Sequence, residues 1–389
     1  MNSKKIVHIS LNSLFTDGWS YQDQLLTKYH KKMGHEVTDI TSHWINDDKG
    51  NVIWDERCEY VNTDGVKVIR LNMKGRDDYS RKFLHFKGFY EALEEEHADI
   101  FFVHGVNFLD MTDLVNYIKK HPSVKVFVDN HGDFSNSGLN WISKNIIHKI
   151  IWRHYTKIIM PYVNTFYGVT PSRVDFLVDM YGVPKEKVEL LVMGVDDDDV
   201  ATALAPDSVD RIRKEYGMAQ DDILIMTGGK IDMAKRQTIN LMKAINQTTN
   251  PKVKLIVFGS VVEELKEAVD GQISEKCQYI GWIDSKETLQ YYGAADLVVF
   301  PGRHSVFWEQ VVGIGKPMIC KYWEGTTHVD VGGNVRFLYK DTVEELSALL
   351  EKLLSSDEEL AHMQAVAREK GMKAFSYSEI AKQSIKERD

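Results

Sequence analysis

Apolar runs of four to seven residues recur along the chain, and most of them empty into glycine or a small polar residue. Lys5-Ile-Val-His-Ile-Ser-Leu11 is the first. A turn, Thr16-Asp17-Gly18-Trp19, separates it from a stretch of helical period, Tyr21–Met33, and Gly34-His35 then leads into Glu36–Ile40. Strand, helix and strand in that order predict a βαβ unit. Further strands are predicted at Val66–Leu71, Asp99–Val103 and Val124–Val128, with a helix near Phe83–Glu96. The last two strands end in His104-Gly105 and Asn130-His131-Gly132. After a polar stretch near Asp196–Asp210 the pattern restarts with strands at Asp222–Met226, Val253–Phe258, Cys277–Ile280 and Leu297–Phe300, and a helix at Ile239–Gln247. These strands end in Gly228-Gly229-Lys230, Gly259-Ser260, Gly281-Trp282 and Pro301-Gly302. Strands alternating with helices imply parallel sheets covered on both faces. Ligands of such sheets bind beyond the carboxyl ends of the strands, where glycine lets backbone approach them closely.

A chain of 389 residues exceeds one ordinary core. We therefore expect two doubly wound Rossmann-like domains of α/β class facing across a cleft, spanning 1–200 and 201–374. A C-terminal segment, 375–389, whose helix is expected near Ser378–Glu387, should pack back on the first domain. Apolar content of 43% and charged content of 27% suit a globular protein, and no apolar run is long enough to cross a bilayer. Met1-Asn-Ser-Lys-Lys leads into a strand rather than a leader peptide. The three cysteines, Cys58, Cys277 and Cys320, have neither zinc nor disulfide spacing, so a reducing cytoplasm is expected. A net charge of −9 argues against nucleic acid as a partner.

The candidate chemistry lies at the strand ends. Gly228-Gly229-Lys230 with Lys235 reads as a diphosphate site or as an ordinary turn with solvated lysines. It is neither a Walker loop nor a Gly-x-Gly-x-x-Gly fingerprint. His304 and Glu309 fall where a strand hands over to a helix. A carboxylate there is a first-turn dipole partner or an acceptor for the hydroxyls of a ribose. His131 is placed to touch a sugar hydroxyl or to cap a turn, and His104 raises the same question. Asp196–Asp199 reads as a solvated interdomain loop, with a divalent-cation site as the rival. Trp141–Gly168 carries Lys144, Lys149, Arg153 and Lys157 and no acidic residue. It reads as an amphipathic basic helix for anionic lipid or as a core helix with snorkelling lysines.

Taken together the chain resembles the retaining glycosyltransferases of family 4, which have the GT-B architecture. The resemblance rests on Asp17-Gly18-Trp19-Ser20-Tyr21 with Gly34-His35-Glu36-Val37, on Val183-Pro184 with Gly194-Val195-Asp196, on Gly229-Lys230 with Lys235, on Gly281-Trp282-Ile283, and on Gly315-Lys316-Pro317. His304-Ser-Val-Phe-Trp-Glu-Gln310 and Trp323-Glu-Gly-Thr-Thr-His-Val-Asp-Val-Gly-Gly-Asn334 resemble a subgroup found with bacterial surface-polysaccharide synthesis. The sequence departs from the family in lacking the first of two glutamates eight positions apart, and in placing Gln310, rather than Glu309, at the spacing of the second.

The resemblance implies transfer of a sugar from a nucleotide-sugar, expected to be a UDP-sugar, to a glycan or lipid-linked acceptor, with no metal and no cofactor. It implies that Glu309 takes the ribose and that His304 and the backbone of Ser305, Val306 and Phe307 face the donor. Lys230 and Lys235 would neutralise the diphosphate, His131 would touch the donor sugar, and Trp282 and Ile283 would lie by the base. Gly18, Gly228 and Gly229 would let backbone approach. The first domain would bind acceptor and the second the nucleotide-sugar. The enzyme is expected in the cytoplasm, with peripheral contact to the inner face of the membrane through 141–168. A donor-binding partner subunit without catalysis and a nucleotide-sugar epimerase are the alternatives.

Overall fold

The alternating pattern becomes two parallel sheets in the computed structural model, which describes residues 3–47, 50–74, 83–355 and 357–386. The chain divides into two compact units, Met1–Val192 with Ile380–Asp389, and Met193–Glu379. The expected boundaries at 200 and 374 differ from these by a few residues. The final helix, expected to 387, is Tyr377–Ser384, and residues 387–389 lie outside the described residues.

The first unit is built on β1 (Lys5–Ile9), β2 (Glu36–Ser42), a hairpin of β3 (Trp44–Asn46) and β4 (Val52–Trp54), then β5 (Glu59–Val61), β6 (Lys67–Leu71), β7 (Ile100–His104), β8 (Lys125–Asn130), β9 (Thr165–Gly168) and β10 (Val188–Leu190). Its eight-stranded sheet runs β10-β9-β8-β7-β1-β2-β6-β5, and within that sheet, among the described residues, only β5 pairs antiparallel. Strand order reverses between β1 and β7. There His8 lies beside Asp39 on one side and Phe102 on the other.

The second unit holds β11 (Ile223–Gly228), β12 (Val253–Phe258), β13 (Cys277–Tyr279), β14 (Leu297–Phe300), β15 (Met318–Lys321) and β16 (Val335–Leu338). All pair in parallel in the order β13-β12-β11-β14-β15-β16, the doubly wound order whose switch point falls between β11 and β14. Val-Lys-Leu-Ile-Val-Phe of β12 is buried on both faces, as a strand covered by helices must be.

Two expectations need correction. Asp196–Asp199 is not a loop. Asp196 caps the helix Asp197–Ala203, its Oδ1 accepting from the Asp198 N–H at 3.1 Å, and the next three carboxylates fill the positive first turn. Asp197 further accepts from the Ser376 hydroxyl and the Ser378 N–H, both at 3.0 Å. Nor is 141–168 one helix: a wide-turned segment, Ser143–Trp152, passes into Arg153–Ile159, and 165–168 is the buried strand β9.

Candidate functional site

In the second unit the ends of β11, β12 and β13 form a step built from glycine. Gly229 N–H donates to Phe258 O at 3.1 Å, and Gly259 N–H to Gly281 O at 2.7 Å. The Tyr279 hydroxyl donates to Gly259 O at 2.7 Å. Side chains are excluded here. A Cβ on Gly228 would lie 2.0 Å from the Phe258 ring, and one on Gly259, at φ +120°, would lie 2.1 Å from Gly229 O. Gly229, at φ +116°, is different. Its missing Cβ opens onto space bounded by Lys235 Nζ at 3.8 Å and Phe307 Cε2 at 3.9 Å.

The loop after Gly229 is held by the Ala234 N–H to Asp232 Oδ1 at 2.9 Å, and Lys235 N–H bonds Asp232 O at 2.9 Å. Gly302, at the end of β14, abuts Lys235 closely enough that a Cβ there would meet its Cα at 3.3 Å. Gly229, Lys235, Gly302 and Phe307 thus converge at the switch point. Burial lowers the Lys235 ammonium below its ordinary pKa; Asp232 opposes this and Arg303 reinforces it. A cation at reduced pKa beside glycine backbone suits an anionic ligand, whose charge would restore the proton. Lys230 is exposed beside this step.

Glu309 lies in the first turn of the helix Phe307–Gly313 and is buried. Its Oε1 accepts from His304 Nε2 at 2.8 Å and His328 Nε2 at 2.9 Å. Burial alone would raise this carboxyl; the two imidazoles outweigh it and hold it down to about 2. The expected ribose ligand is therefore tied on one oxygen to two histidines, and its Oε2 is buried with no partner among the described residues. Gln310, next to it, is also buried. No side chain among the described residues caps this helix at Val306, although the Trp308 N–H already bonds Ser305 O at 3.0 Å.

His328 carried no role in the sequence reading. Its signal was the Trp323–Asn334 segment, whose turn places it. Asp330 Oδ1 accepts from the Gly332 and Gly333 N–H groups at 3.2 and 2.7 Å, and Asn334 Oδ1 from the Val331 N–H at 2.7 Å. His304, Glu309 and His328 could hold a metal, since their ligand atoms lie within 4.8 Å of one another. However, those atoms already serve each other as donors and acceptor, and among the described residues His328 Nδ1 has no partner of the kind that orients a ligating histidine.

Trp282 is exposed and Ile283 half-buried beyond β13. Gly18 and His131 belong to the first unit. Gly18 turns at φ +77°. His131 lies at the end of β8, with Nε2 3.4 Å from Asp129 Oδ2 and its ring stacked near Tyr21 at 6.0 Å. A cavity of about 430 Å³ opens there, at the switch between β1 and β7, lined by His104, His131, the Asp23 carboxylate and the amides of Asn12, Asn46, Asn107 and Asn130. Several amides with a carboxylate acceptor suit a hydroxyl-rich ligand.

Residues 24–199 match the model of Glycosyltransferase Family 4, and residues 208–370 that of glycosyl transferases group 1. No curated protein sequence matches the chain. Among solved structures it is similar to a glycosyltransferase from Rickettsia africae, with a TM-score of 0.68 and 14% identity over 99% of this chain and 98% of that one. Anabaena HepE in complex with UDP aligns with a TM-score of 0.64 and 14% identity, over 97% of this chain and 98% of that one. The catalytic domain of Arabidopsis thaliana starch synthase IV, bound to ADP and acarbose, aligns at 0.62 and 14% over 99% of this chain and 100% of that one. At that identity the likeness establishes the fold. Together the two family domains and the paired parallel sheets make this chain a glycosyltransferase of the GT-B fold.

Proposed function

We propose that the chain transfers a sugar, with retention of configuration, from a UDP-sugar to a glycan or lipid-linked acceptor in building a bacterial surface polysaccharide, without a metal on the diphosphate. The observation that carries this reading is the open face of Gly229 toward Lys235 Nζ and Phe307. In the proposed mechanism the bond from C1 to the phosphate oxygen breaks as the bond from the acceptor oxygen to C1 forms on the same face. The leaving phosphate oxygen receives the acceptor proton. Lys235, with Lys230 outside it, neutralises the charge that develops on the diphosphate, and preorganised charge of this kind is the largest single catalytic contribution in many enzymes. Gly18, Gly228 and the N–H groups of Ser305–Phe307 bring backbone to the phosphates. Trp282 and Ile283 are assigned to the base, and His131 to the donor sugar. Glu309, holding His304 and His328, leaves its second oxygen for the ribose, with Gln310 beside it.

The acceptor is assigned to the first unit, and a membrane surface to the same unit. Trp141, Ile142 and Ile150 are exposed beside Lys144, Lys149 and Lys157, an apolar strip flanked by positive charge that complements anionic lipid. No helix among the described residues is long and apolar enough to cross a membrane.

The test is a thermal-shift panel of UDP, GDP and ADP in EDTA, followed by turnover of UDP-sugars with and without acceptor. Ligand at a hundred times its dissociation constant adds about 2.7 kcal/mol of stability, and UDP should do so without metal. Release of UDP that depends on acceptor, giving an axial or equatorial bond like the donor's, supports the reading. Product from donor alone would instead make the chain an epimerase. Indifference to every nucleotide would remove the diphosphate site.

A further inference from the structure

Three buried histidines of the first unit form a continuous hydrogen-bonded chain. His104 Nδ1 lies 2.9 Å from Asp129 Oδ2, and its Nε2 lies 3.0 Å from His8 Nδ1. His8 Nε2 lies 2.9 Å from His30 Nδ1. His30 Nε2 lies 3.1 Å from Ala381 O and 3.0 Å from Ser384 Oγ. One end is therefore the carboxylate that also faces His131 Nε2 at 3.4 Å, and the other is the last helix of the chain. All three imidazoles are buried, on β1, on the helix Gln22–Lys32 and at the end of β7.

Counting hydrogens fixes the states open to such a chain. Carboxylate and carbonyl only accept. Bonds to Asp129, between the rings and to Ala381 O need four hydrogens on three rings, one more than three neutral imidazoles carry. That state holds one extra proton, matched by the Asp129 carboxylate. If the proton passes from His30 Nε2 to bulk water as the pH rises, the hydrogen facing Asp129 stays and the two between the rings cross their bonds: His8 Nε2–H passes to His30 Nδ1, and His104 Nε2–H to His8 Nδ1. The Ser384 hydroxyl, which bonds Ala381 O at 2.8 Å, then turns to donate to His30 Nε2. Every ring nitrogen keeps a partner in both states, the bond to Ala381 O being exchanged for the one from Ser384, and the states differ by one proton.

We infer that His30, His8 and His104 are positioning residues that form a one-proton relay, tying the seating of the helix Tyr377–Ser384 to the charge balance at Asp129, the carboxylate beside His131. The electrostatics agree with this division. Burial, with the charges of His30 and His104, keeps His8 well below the ordinary value, so it is a neutral carrier. For His104 the pull of Asp129 outweighs burial and raises it, making it the resting place of the proton. Asp129 is held down by His104 and His131 against burial. The other charged groups facing this end are Asp23 from the helix Gln22–Lys32 and Asp39 on β2, where burial pushes the carboxyl up to about 7 despite the Ser10 hydroxyl bond and Arg70. At the far end stand Tyr167, whose hydroxyl donates to Gln383 O, and the Lys386–Glu189 pair. With the relay protonated, the Asp129 carboxylate has a matching charge within the chain; with the relay neutral, it has none there.

The relay does not rest on the placement of His131 at the donor sugar. The experiment is imidazole ¹⁵N NMR of the full chain across pH, in the wild type and in Ser384→Ala. The three buried rings should titrate with one shared midpoint. Ser384→Ala removes the donor that closes the neutral state, so the shared midpoint should rise by about half to one pH unit. Separate midpoints, no titration, or a midpoint unmoved in Ser384→Ala would each overturn the relay. Because the readout is spectroscopic, it stands even if no UDP-sugar is turned over. Ser384→Thr, which restores the hydroxyl, should return the shared midpoint to its wild-type value.

Discussion

At the scale of single residues, the proposed donor site is tested through one lysine and one carboxylate. Lys235→Ala should reduce turnover by about 10²–10³-fold with little change in the melting curve, because the side chain is half-buried and stabilises charge rather than packing. Burial already lowers its ammonium. UDP affinity measured by calorimetry should therefore fall as pH rises into the alkaline range, by at most about tenfold per unit, and Lys235→Ala should flatten that fall. Glu309 works in the opposite direction. Its folded carboxyl is depressed from 4.5 to about 2, so its contribution is present above the unfolded value and is lost as pH falls through the folded one. Glu309→Gln should cost on the order of 3 kcal/mol at pH 7, and urea midpoints should show the gap to wild type closing between about pH 4.5 and 2.

At the scale of elements, the glycines that end the strands separate stability from binding. Gly259→Ala meets backbone at 2.1 Å and should cost about 3 kcal/mol or more in urea denaturation. Gly229→Ala meets nothing closer than 3.8 Å. It should cost about 1–2 kcal/mol from its positive φ, yet weaken UDP more than that strain explains, since the methyl occupies the space before Lys235. These strand ends were legible in the sequence because a buried parallel strand writes its own apolar run and its glycine terminator within a few residues. The Glu309 site was legible only in part. Its position came from the local hand-over of strand to helix, whereas its partner His328 arrives through a turn made by Asp330, Gly332, Gly333 and Asn334. Asp196–Asp199 misled for the same reason. Mutual repulsion argued for a loop, but the N-terminal cap and two donors from 376 and 378, about 180 positions away, outweigh it. Register within a run is local information; who closes a carboxylate's coordination is not.

At the scale of the whole molecule, the strip of Trp141, Ile142 and Ile150 should bring the enzyme to vesicles containing anionic lipid. Flotation should be lost, by at least about tenfold, in Lys144→Glu/Lys149→Glu, while uncharged vesicles should retain little of either protein. Arg153 is a poor choice for this test, because its guanidinium reaches Met180 O at 3.5 Å and crowds Gly182. The path of the chain has a consequence of its own. It leaves the first unit at Val192 and re-enters it only at Ile380. During synthesis at about 5–20 residues per second, the first unit therefore waits roughly 10–40 s with His30 lacking Ala381 and Ser384. A nascent chain cut short anywhere in the second half leaves that seat empty. The helix Tyr377–Ser384 thus reports on what precedes it: the first unit reaches its finished state only once the whole of the second has been translated.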